Sequence, residues 1–359
     1  MNEYLKKIHP QTRKYFSVLS DEIPSFLEKH FEIPELKRLQ DVGYLCGMDY
    51  CSKAIYDFPY FYSRFDHSLA VALMTWNFTQ NKTQTIAALL HDISTPVFSH
   101  VIDYMNDDHI NQESTEERTE DIINGSTQLL DCLKQDSINT IDITDCKKYS
   151  IIDNDRPKLC CDRLDSLFMT NVLWTKKLKF NEIKEIYENI TVLTNENGES
   201  ELGSLDIKTA SKIADLSLDV GYATNSNEDK LSMQLLADIL KLCDNYGYLD
   251  KNMLYYLDEK QIVKIINSIK EQEILGLWKT FLTTKEIIGD DDLCKKQKEN
   301  YYVSINTKKR YVDPIFVSDN GVVRLTTVKY DYYNKIEEYK KNQGDKWIYV
   351  KKYQQKENK

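Results

Sequence analysis

The chain has 359 residues, of which 41% are hydrophobic and 29% are charged. This length and composition allow a large hydrophobic core without disulfide bonds, and they exclude an intrinsically disordered protein. Lysine and arginine total 47 against 57 aspartate and glutamate residues, which gives a formal net charge of −10. A surface that is basic throughout and grips a nucleic-acid backbone is therefore excluded. Nucleic acid stays open as a partner but is not indicated.

The cysteines and the apolar segments bear on location. The chain has eight cysteines and no N-terminal apolar segment typical of secretion, so we expect a cytoplasmic protein with free thiols. Cys160 and Cys161 are adjacent and no C-x-x-C pair occurs, which argues against a zinc knuckle. No apolar run reaches the roughly 18 to 20 residues that cross a bilayer, so we expect no membrane insertion.

Apolar residues at three- and four-residue spacing, with few glycines and prolines, predict a mainly α protein. Ser114 with Glu117, and Asp258 with Gln261, have the spacing of helix capping boxes, the second at the start of a helix that runs to about residue 270. The polar stretches 195–203 and 224–230 predict exposed loops. Helices are predicted over residues 34–47, 66–80, 83–93, 114–134, 157–172 and 230–246.

The pattern changes after about residue 285. Segments 301–305, 311–317 and 322–328 are β-branched and aromatic, and Asn320-Gly321 between the last two is a hairpin signal. We therefore predict a small C-terminal α+β subdomain over residues 286–359. It follows an N-terminal helical segment (1–33) and a helical core (34–285). From Lys340 onward the chain is lysine-rich, which predicts a solvated basic tail, with a nucleic-acid or lipid contact as the alternative.

The residues that favour chemistry concentrate between Arg64 and Asp103. His91-Asp92 follows an apolar run at 87–90, which would carry an imidazole and a carboxylate into the core. Burying both costs several kcal/mol unless a partner satisfies them, and a divalent cation does so. Imidazole with carboxylate suits Mn, Fe, Zn or Ni better than calcium. Four of the six histidines fall within 43 residues, at His67, His91, His100 and His109.

Other elements must bring the remaining ligands. His67 opens a predicted helix that is apolar on one face, and Asp162 and Asp165 lie three apart on another helix, with Arg163 between them. Taken alone, the second segment is more typical of an exposed helix with an intrahelical ion pair. A single His-Asp pair is likewise more often structural. Only the combination favours a metal site.

In chain order, these motifs resemble those of the HD superfamily of metal-dependent phosphohydrolases. The motifs are Arg64-Phe-Asp-His-Ser-Leu69, His91-Asp92, Phe98-Ser-His100 with Asp103, and Asp162-Arg-Leu-Asp165. Within the superfamily the chain resembles the dNTP triphosphohydrolases, including the type with a SAM and an HD domain. Weaker similarity spans residues 34–330 and includes Arg310-Tyr-Val-Asp-Pro314. The resemblance implies an HD-domain helical bundle.

The resemblance also implies roles for individual residues. It implies one divalent metal ion (Mn, Fe, Mg, Zn or Ni) that activates a water for attack on phosphorus. His100 falls at the position of a catalytic histidine that protonates the leaving oxygen, and Asp103 is placed to orient its ring and keep it protonated. Arg64 and Arg163 fall at positions that face substrate phosphates or sugar. The implied metal ligands are His67, His91, Asp92 and Asp162.

The sequence departs from the family pattern near the proposed substrate. Thr95 stands where the family has a further histidine, and a hydroxyl binds phosphate but does not titrate near pH 7. Tyr44 stands where a relative has a glutamine near the sugar, and Ser166 and Thr170 replace a tyrosine and an aspartate. We include Tyr44 and Thr95 among the expected substrate-binding residues. His109 and the acids at 116–117 have no settled counterpart in the family.

The resulting hypothesis is a metal-dependent phosphohydrolase that acts on nucleotides. A dNTP triphosphohydrolase that releases nucleoside and triphosphate is favoured. A phosphomonoesterase or phosphodiesterase acting on another nucleotide stays open, as does a catalytically inactive nucleotide-sensing subunit. The triphosphohydrolases resembled here commonly assemble with themselves, so we expect a homo-oligomer.

Overall fold

The computed structural model describes residues 3–112, 114–115 and 117–354, and it confirms a mainly α protein with a small strand portion. None of the described helices is both long and apolar enough to cross a bilayer. The α-helices are α1 (Glu3–Lys7), α2 (Pro10–Leu19), α3 (Ser25–Glu28), α4 (Pro34–Leu39), α5 (Arg64–Thr79), α6 (Lys82–Leu90), α7 (Val101–Met105), α8 (Thr119–Gly125), α9 (Thr127–Gln135), α10 (Cys161–Leu173), α11 (Phe180–Tyr187), α12 (Ile207–Ala223), α13 (Asn227–Asn245), α14 (Glu259–Ser268), α15 (Gln272–Thr283), α16 (Leu325–Val328) and α17 (Tyr330–Lys341).

Helix α5 lies at the centre of the core. Every residue from Arg64 to Thr75 is buried, as expected for a helix that other elements surround. Helices α2, α6 and α10 all pack against it. The first turn of α5 therefore faces the interior, where α6 and α10 bring further polar side chains.

The strands form two sheets. They are β1 (Ile190–Thr194), β2 (Ser200–Ser204), β3 (Ile288–Asp290), β4 (Asn300–Val303), β5 (Ile315–Ser318), β6 (Gly321–Arg324) and β7 (Trp347–Lys351). One sheet has the order β1-β2-β5-β6 and the other β3-β7-β4. Strands β5 and β6 pair antiparallel with Ser318 opposite Gly321, so the predicted Asn320-Gly321 hairpin is confirmed. Strand β2 pairs parallel with β5, so one sheet draws strands from both sides of residue 285.

Several predicted helices differ from the observed ones. The helix predicted over 34–47 ends at Leu39, and the one over 114–134 divides into α8 and α9. Ser126 ends α8 and caps α9, and its hydroxyl accepts a hydrogen bond from Leu129 N. The Ser114 capping box is therefore wrong, because Ser114 precedes both helices. The Asp258–Gln261 box at the start of α14 is confirmed.

Both predicted loops contain regular structure. Residues 195–203 turn through Gly198 into strand β2, where Glu201 is fully buried. Residues 224–230 include the first turn of α13, in which Lys230 is 1% exposed and donates to Gln343 O at 2.8 Å. In both stretches, tertiary partners satisfy polar side chains that composition alone assigns to solvent.

The C-terminal prediction was also partly wrong. Strand β6 ends at Arg324, and residues 325–328 are helical rather than extended. Part of the lysine-rich segment is not a free tail, because β7 is the central strand of the second sheet. Residues 355–359 lie outside the described part of the chain.

Candidate metal centre

Three helices bring the predicted ligands together. His67 lies in the first turn of α5, where Ser63 and Asp66 form a reciprocal capping box. Asp162 lies in the first turn of α10. Helix α6 ends at Leu90, so His91 and Asp92 lie just beyond it rather than on the helix predicted over 83–93. The end of α6 thus turns both side chains toward α5 and α10.

The four predicted ligands converge. His67 Nε2 lies 3.0 Å from Asp162 Oδ1, and His91 Nε2 lies 3.8 Å from the same oxygen. Asp92 Oδ2 lies 3.8 Å from His67 Nε2 and 3.7 Å from His91 Nε2. Metal–ligand bonds of about 2.0–2.2 Å separate neighbouring ligand atoms by about 3–3.5 Å. The observed spacings therefore need little adjustment to bind one ion.

Hydrogen bonds fix the orientation of both imidazoles. His67 Nδ1 donates to Asp165 Oδ2 at 2.6 Å, and the fully buried Asp165 also accepts from Tyr15 at 2.6 Å and Tyr62 at 3.2 Å. His91 Nδ1 donates to Ala88 O at 2.8 Å. With Nδ1 as the donor, Nε2 of each ring points to the centre and is the nitrogen that would bind a metal, which is the arrangement that metal-binding histidines use. Asp165 orients His67 without being a ligand itself.

The chemistry of the site fits a divalent cation. His91 Nε2 is buried and has no hydrogen-bond partner among the described residues. An unpaired buried nitrogen costs roughly 1–3 kcal/mol, and a metal bond would satisfy it. His67, His91 and Asp162 form a cluster whose ligand atoms all lie within 4.8 Å of one another, and Asp92 adds a second carboxylate.

The charges in the centre favour ligation by carboxylate. Burial acts to raise the pKa of Asp92, but His91 and Arg64 hold that pKa well below its usual range. Burial likewise acts to raise the pKa of Asp162, but the hydrogen bond to His67 and the charge of His67 hold that pKa well below its usual range. Without a metal, burial lowers the pKa of His67, but Asp162 and Asp165 overcome this and raise it to about 10. A metal would replace the proton on His67.

Three of the four predicted substrate-binding residues line the cavity, but the side-chain donors of both arginines are already bonded within the protein. Arg64 and Tyr44 line it, but Arg64 donates to Asp92 Oδ2 at 3.1 Å, Ser99 Oγ at 2.8 Å and Tyr44 O at 3.3 Å. Arg163 also lines it, yet its guanidinium is bonded to Asp153 at 2.9 Å and to Asn154. Thr95 is not among the described lining residues, and its hydroxyl donates to Asp92 Oδ1 at 3.0 Å.

His100 and Asp103 form a dyad on the cavity wall. His100 Nδ1 lies 2.9 Å from Asp103 Oδ2, and the fully buried Asp103 also accepts from Ser114 N at 3.0 Å. Asp103 therefore orients the ring, as expected. Burial lowers the pKa of His100, and the hydrogen bond to Asp103 and its charge offset this only in part.

A cavity of about 480 Å³ connects these groups. Its size is within the range of pockets that hold small ligands. Its wall also includes Arg156, Arg310 and Asp229, which sequence reasoning did not assign to the site. Only Arg310 had a signal in the sequence, as part of the weak Arg-Tyr-Val-Asp-Pro similarity. Arg156 and Asp229 lie outside every motif.

Comparisons of the sequence and the fold with known proteins identify several similar proteins. No protein-family model matches the sequence. The uncharacterized protein YdhJ of Bacillus subtilis is 21% identical over 290 residues, covering 80% of this chain and 84% of that protein. A hypothetical protein from Aquifex aeolicus matches with a TM-score of 0.61 and 14% identity, covering 92% of this chain and 93% of its own.

A second solved structure carries a functional name. It is a phosphohydrolase from Bacteroides thetaiotaomicron, with a TM-score of 0.57 and 16% identity, covering 93% of this chain and 97% of its own. The chain shares the fold of a phosphohydrolase. At this level of identity the likeness extends to the fold, so the chemistry must be argued from the site.

Proposed function

We propose that the protein is a metal-dependent phosphohydrolase acting on nucleotides, and specifically a dNTP triphosphohydrolase that releases nucleoside and triphosphate. The observation that carries the proposal is the buried Nε2 of His91, which has no hydrogen-bond partner among the described residues and lies close to His67 and to the carboxylates of Asp92 and Asp162. The fold shared with a phosphohydrolase supports it. A bound divalent cation would polarise a phosphoryl oxygen and lower the pKa of a nearby water.

The residues around the ligands have positioning roles. Arg64 and Thr95 each bind one oxygen of Asp92, so both hold that carboxylate in place. Arg163 orders the 153–158 loop through Asp153 and Lys158 O. With these donors occupied, Arg64 and Arg163 contribute mainly positive potential toward a substrate.

Arg156 and Arg310 are better placed to contact phosphate directly. No described residue accepts a hydrogen bond from the Arg156 guanidinium, and Arg310 is bonded through its side chain to the neutral Gln112. Burial, with repulsion from Arg310 and Arg163, lowers the pKa of Arg156 to about 9. An anion between Arg156 and Arg310 would remove this repulsion, and bidentate guanidinium–phosphate contacts are among the stronger hydrogen bonds in proteins.

His100 is the proposed general acid. Asp103 fixes Nδ1, which leaves the other nitrogen available on the cavity side. Because burial lowers the pKa of His100, the ring is neutral before substrate binds. The negative charge of a bound phosphate favours protonation of the imidazole, so the acid forms only in the complex.

Thr95 supports a second candidate, a metal-retaining nucleotide sensor. The hydroxyl of Thr95 binds Asp92 and does not titrate near pH 7, so it cannot replace a family histidine in proton transfer. Such a sensor would bind nucleotide without turnover. Hydrolysis of a nucleoside monophosphate or another phosphoester is the remaining alternative.

A product screen tests these proposals. The protein is incubated with Mn²⁺ or Mg²⁺ and with dNTPs, NTPs, nucleoside monophosphates or short oligonucleotides, and products are separated by chromatography. We expect deoxynucleoside and tripolyphosphate from wild type and from His9→Ala, which removes an exposed imidazole, but from neither His91→Ala nor Asp92→Ala. Orthophosphate from monophosphates would replace the triphosphohydrolase with a nucleotidase, and binding without products would favour the sensor.

A homo-oligomeric, cytoplasmic protein remains part of the proposal. Sedimentation velocity across micromolar concentrations, with and without dNTP, tests the assembly. A monomer under every condition would contradict it.

A further inference from the structure

An acidic side chain that the proposed chemistry does not use lies on the wall of the cavity. Asp229 is in the first turn of α13, after the capping residue Ser226, whose hydroxyl accepts a hydrogen bond from Asp229 N at 3.2 Å. The side chain lines the cavity although the residue is only 8% exposed. Capping requires Ser226, so it does not explain a buried carboxylate at position 229.

The carboxylate of Asp229 has no partner in the part of the chain that the structure describes. No described residue donates a hydrogen bond to it or forms an ion pair with it. The adjacent Lys230 directs its ammonium group to Gln343 O at 2.8 Å. Burial raises the pKa of Asp229, the positive charge of Arg310 lowers it by less, and the resulting pKa is about 7. The carboxylate is largely removed from water but faces the cavity, so a ligand that donates hydrogen bonds here would stabilise it.

The surroundings of Asp229 have the character of a nucleobase pocket. Burial and the charge of Asp229 both raise the pKa of the phenols of Tyr56 and Tyr104. Both rings line the cavity, together with Met48 and Met233. Aromatic rings and thioethers pack well against a flat heterocycle. Polar groups set beside apolar surface are what orient such a ligand in its pocket.

Among the common bases, only guanine presents two adjacent hydrogen-bond donors, the ring N1–H and the exocyclic amino group. Adenine and cytosine place a ring acceptor beside the amino group, and thymine places N3–H between two carbonyls. Those acceptors would face the carboxylate oxygens and be repelled. A carboxylate accepts two parallel N–H donors well, because each of its oxygens can take one.

We propose that Asp229 selects a guanine nucleotide by accepting hydrogen bonds from N1–H and the exocyclic amino group of the base. The inference rests on the proposed function, because it assumes that a nucleotide occupies the cavity. It makes Asp229 a specificity-determining residue, and dGTP the preferred dNTP.

The first test is a change of base preference. Hydrogen bonds to a charged group contribute about 1.5–3 kcal/mol, so Asp229→Asn should reduce kcat/KM for dGTP relative to dATP by about 10- to 150-fold. A carboxamide can accept from N1–H and donate to a carbonyl at position 2, so the variant should prefer deoxyxanthosine triphosphate over dGTP. Because an unfolded variant could not gain activity on a new substrate, this result would also show that Asp229→Asn is folded. Asp244→Asn, at an exposed position on α13, is the matched control and should keep the wild-type preference.

The second test does not depend on hydrolysis. Calorimetric titration of wild type with deoxyguanosine and deoxyadenosine, without added metal, should show preferential binding of deoxyguanosine, and Asp229→Asn should abolish that preference. Hydrolysis of dNTPs without a guanine preference would overturn the inference and leave the proposed function intact. Selective deoxyguanosine binding lost in Asp229→Asn, with no turnover of any nucleotide, would uphold the inference and overturn the proposed function. An unchanged preference in Asp229→Asn would also overturn it.

Discussion

The ring nitrogen Nε2 of His91 is buried, and no residue that the structure describes forms a hydrogen bond with it. Replacing His91 by Ala removes one ligand and should reduce metal content after dialysis by more than tenfold, with hydrolysis falling in parallel. Asp165→Asn should act more weakly, because it disturbs only the orientation of His67, and outer-shell changes typically cost about 10- to 100-fold in affinity or activity. Elemental analysis with parallel kinetics checks both. Full metal retention in His91→Ala would contradict the ligand set.

Arg156 is the residue for which the phosphate proposal makes the sharpest prediction. Arg156→Gln removes a guanidinium that has no hydrogen-bond partner among the described residues, so we expect an equal or higher free energy of unfolding together with weaker substrate binding. The loss of a charge-assisted hydrogen bond should raise KM for a triphosphate by about 10- to 100-fold. Calorimetric binding of inorganic tripolyphosphate gives the same readout without turnover. Arg13→Gln, at an exposed position, is the matched control and should bind like wild type.

Individual residues also show what sequence could and could not predict about the site. The sequence singled out His67, His91, Asp92 and Asp162, which the structure brings close together, because each belongs to a short motif. Arg156 and Asp229 were missed because only tertiary packing brings them to the cavity. Locally, Arg156 is a loop arginine beside Pro157, and Asp229 is an acid in a first helical turn, where acids are common.

At the scale of elements, helix α14 begins with a buried acid. Glu259 is fully buried, its Oε1 accepts from Gly43 N at 2.9 Å, and its Oε2 has no partner among the described residues. Burial raises the pKa of Glu259 to about 8, with Asp49 adding to the effect. The folded protein therefore binds a proton here that the unfolded chain has released. The free energy of unfolding should fall as pH rises from the unfolded value near 4.5 to about 8, and then level off.

Glu259→Gln tests this dependence. It keeps an acceptor for Gly43 N and removes the ionisation, so the variant should be more stable than wild type at pH 8–9 by a few kcal/mol, since one pKa unit corresponds to about 1.4 kcal/mol. Urea unfolding between pH 5 and 9 measures the slope. Glu273→Gln, an exposed acid on α15, should follow wild type. Parallel curves for wild type and Glu259→Gln would show that Glu259 stays ionised.

Element boundaries were predicted well where local capping decides them and poorly where packing does. Helices α5 and α14 begin near the predicted residues because Ser63 and Asp258 cap them. The predicted 34–47 helix stops early because the backbone turns after Leu39 and Gly43 pairs with Ser63 instead. A residue's local helix propensity contains no information about a pairing with a residue 20 positions away in the sequence.

At the scale of the whole molecule, one sheet joins the helical core to the C-terminal strands. Gly203 of β2 lies opposite Ile315 of β5, and a Cβ on Gly203 would lie 2.8 Å from Ile315 O and 2.7 Å from the Leu193 side chain. The backbones approach so closely that only glycine fits without displacement. Because β2 belongs to the core segment and β5 to the C-terminal segment, this contact couples the two parts of the chain.

Gly203→Val should therefore destabilise the protein by more than a surface substitution does, about 1–3 kcal/mol as for other overpacked sites. Wild type should unfold in a single transition, with circular dichroism and tryptophan fluorescence giving the same midpoint, because the sheet ties residues 286–354 to the core. In Gly203→Val the weakened sheet should let the C-terminal strands detach first, so the midpoints from the two probes should differ. Gly276→Val, whose added Cβ meets nothing within 4 Å and whose φ, like that of Gly203, lies outside the left-handed region, controls for the loss of a glycine without the steric contact. Two separate transitions in wild type would instead show that residues 286–354 unfold independently of the core.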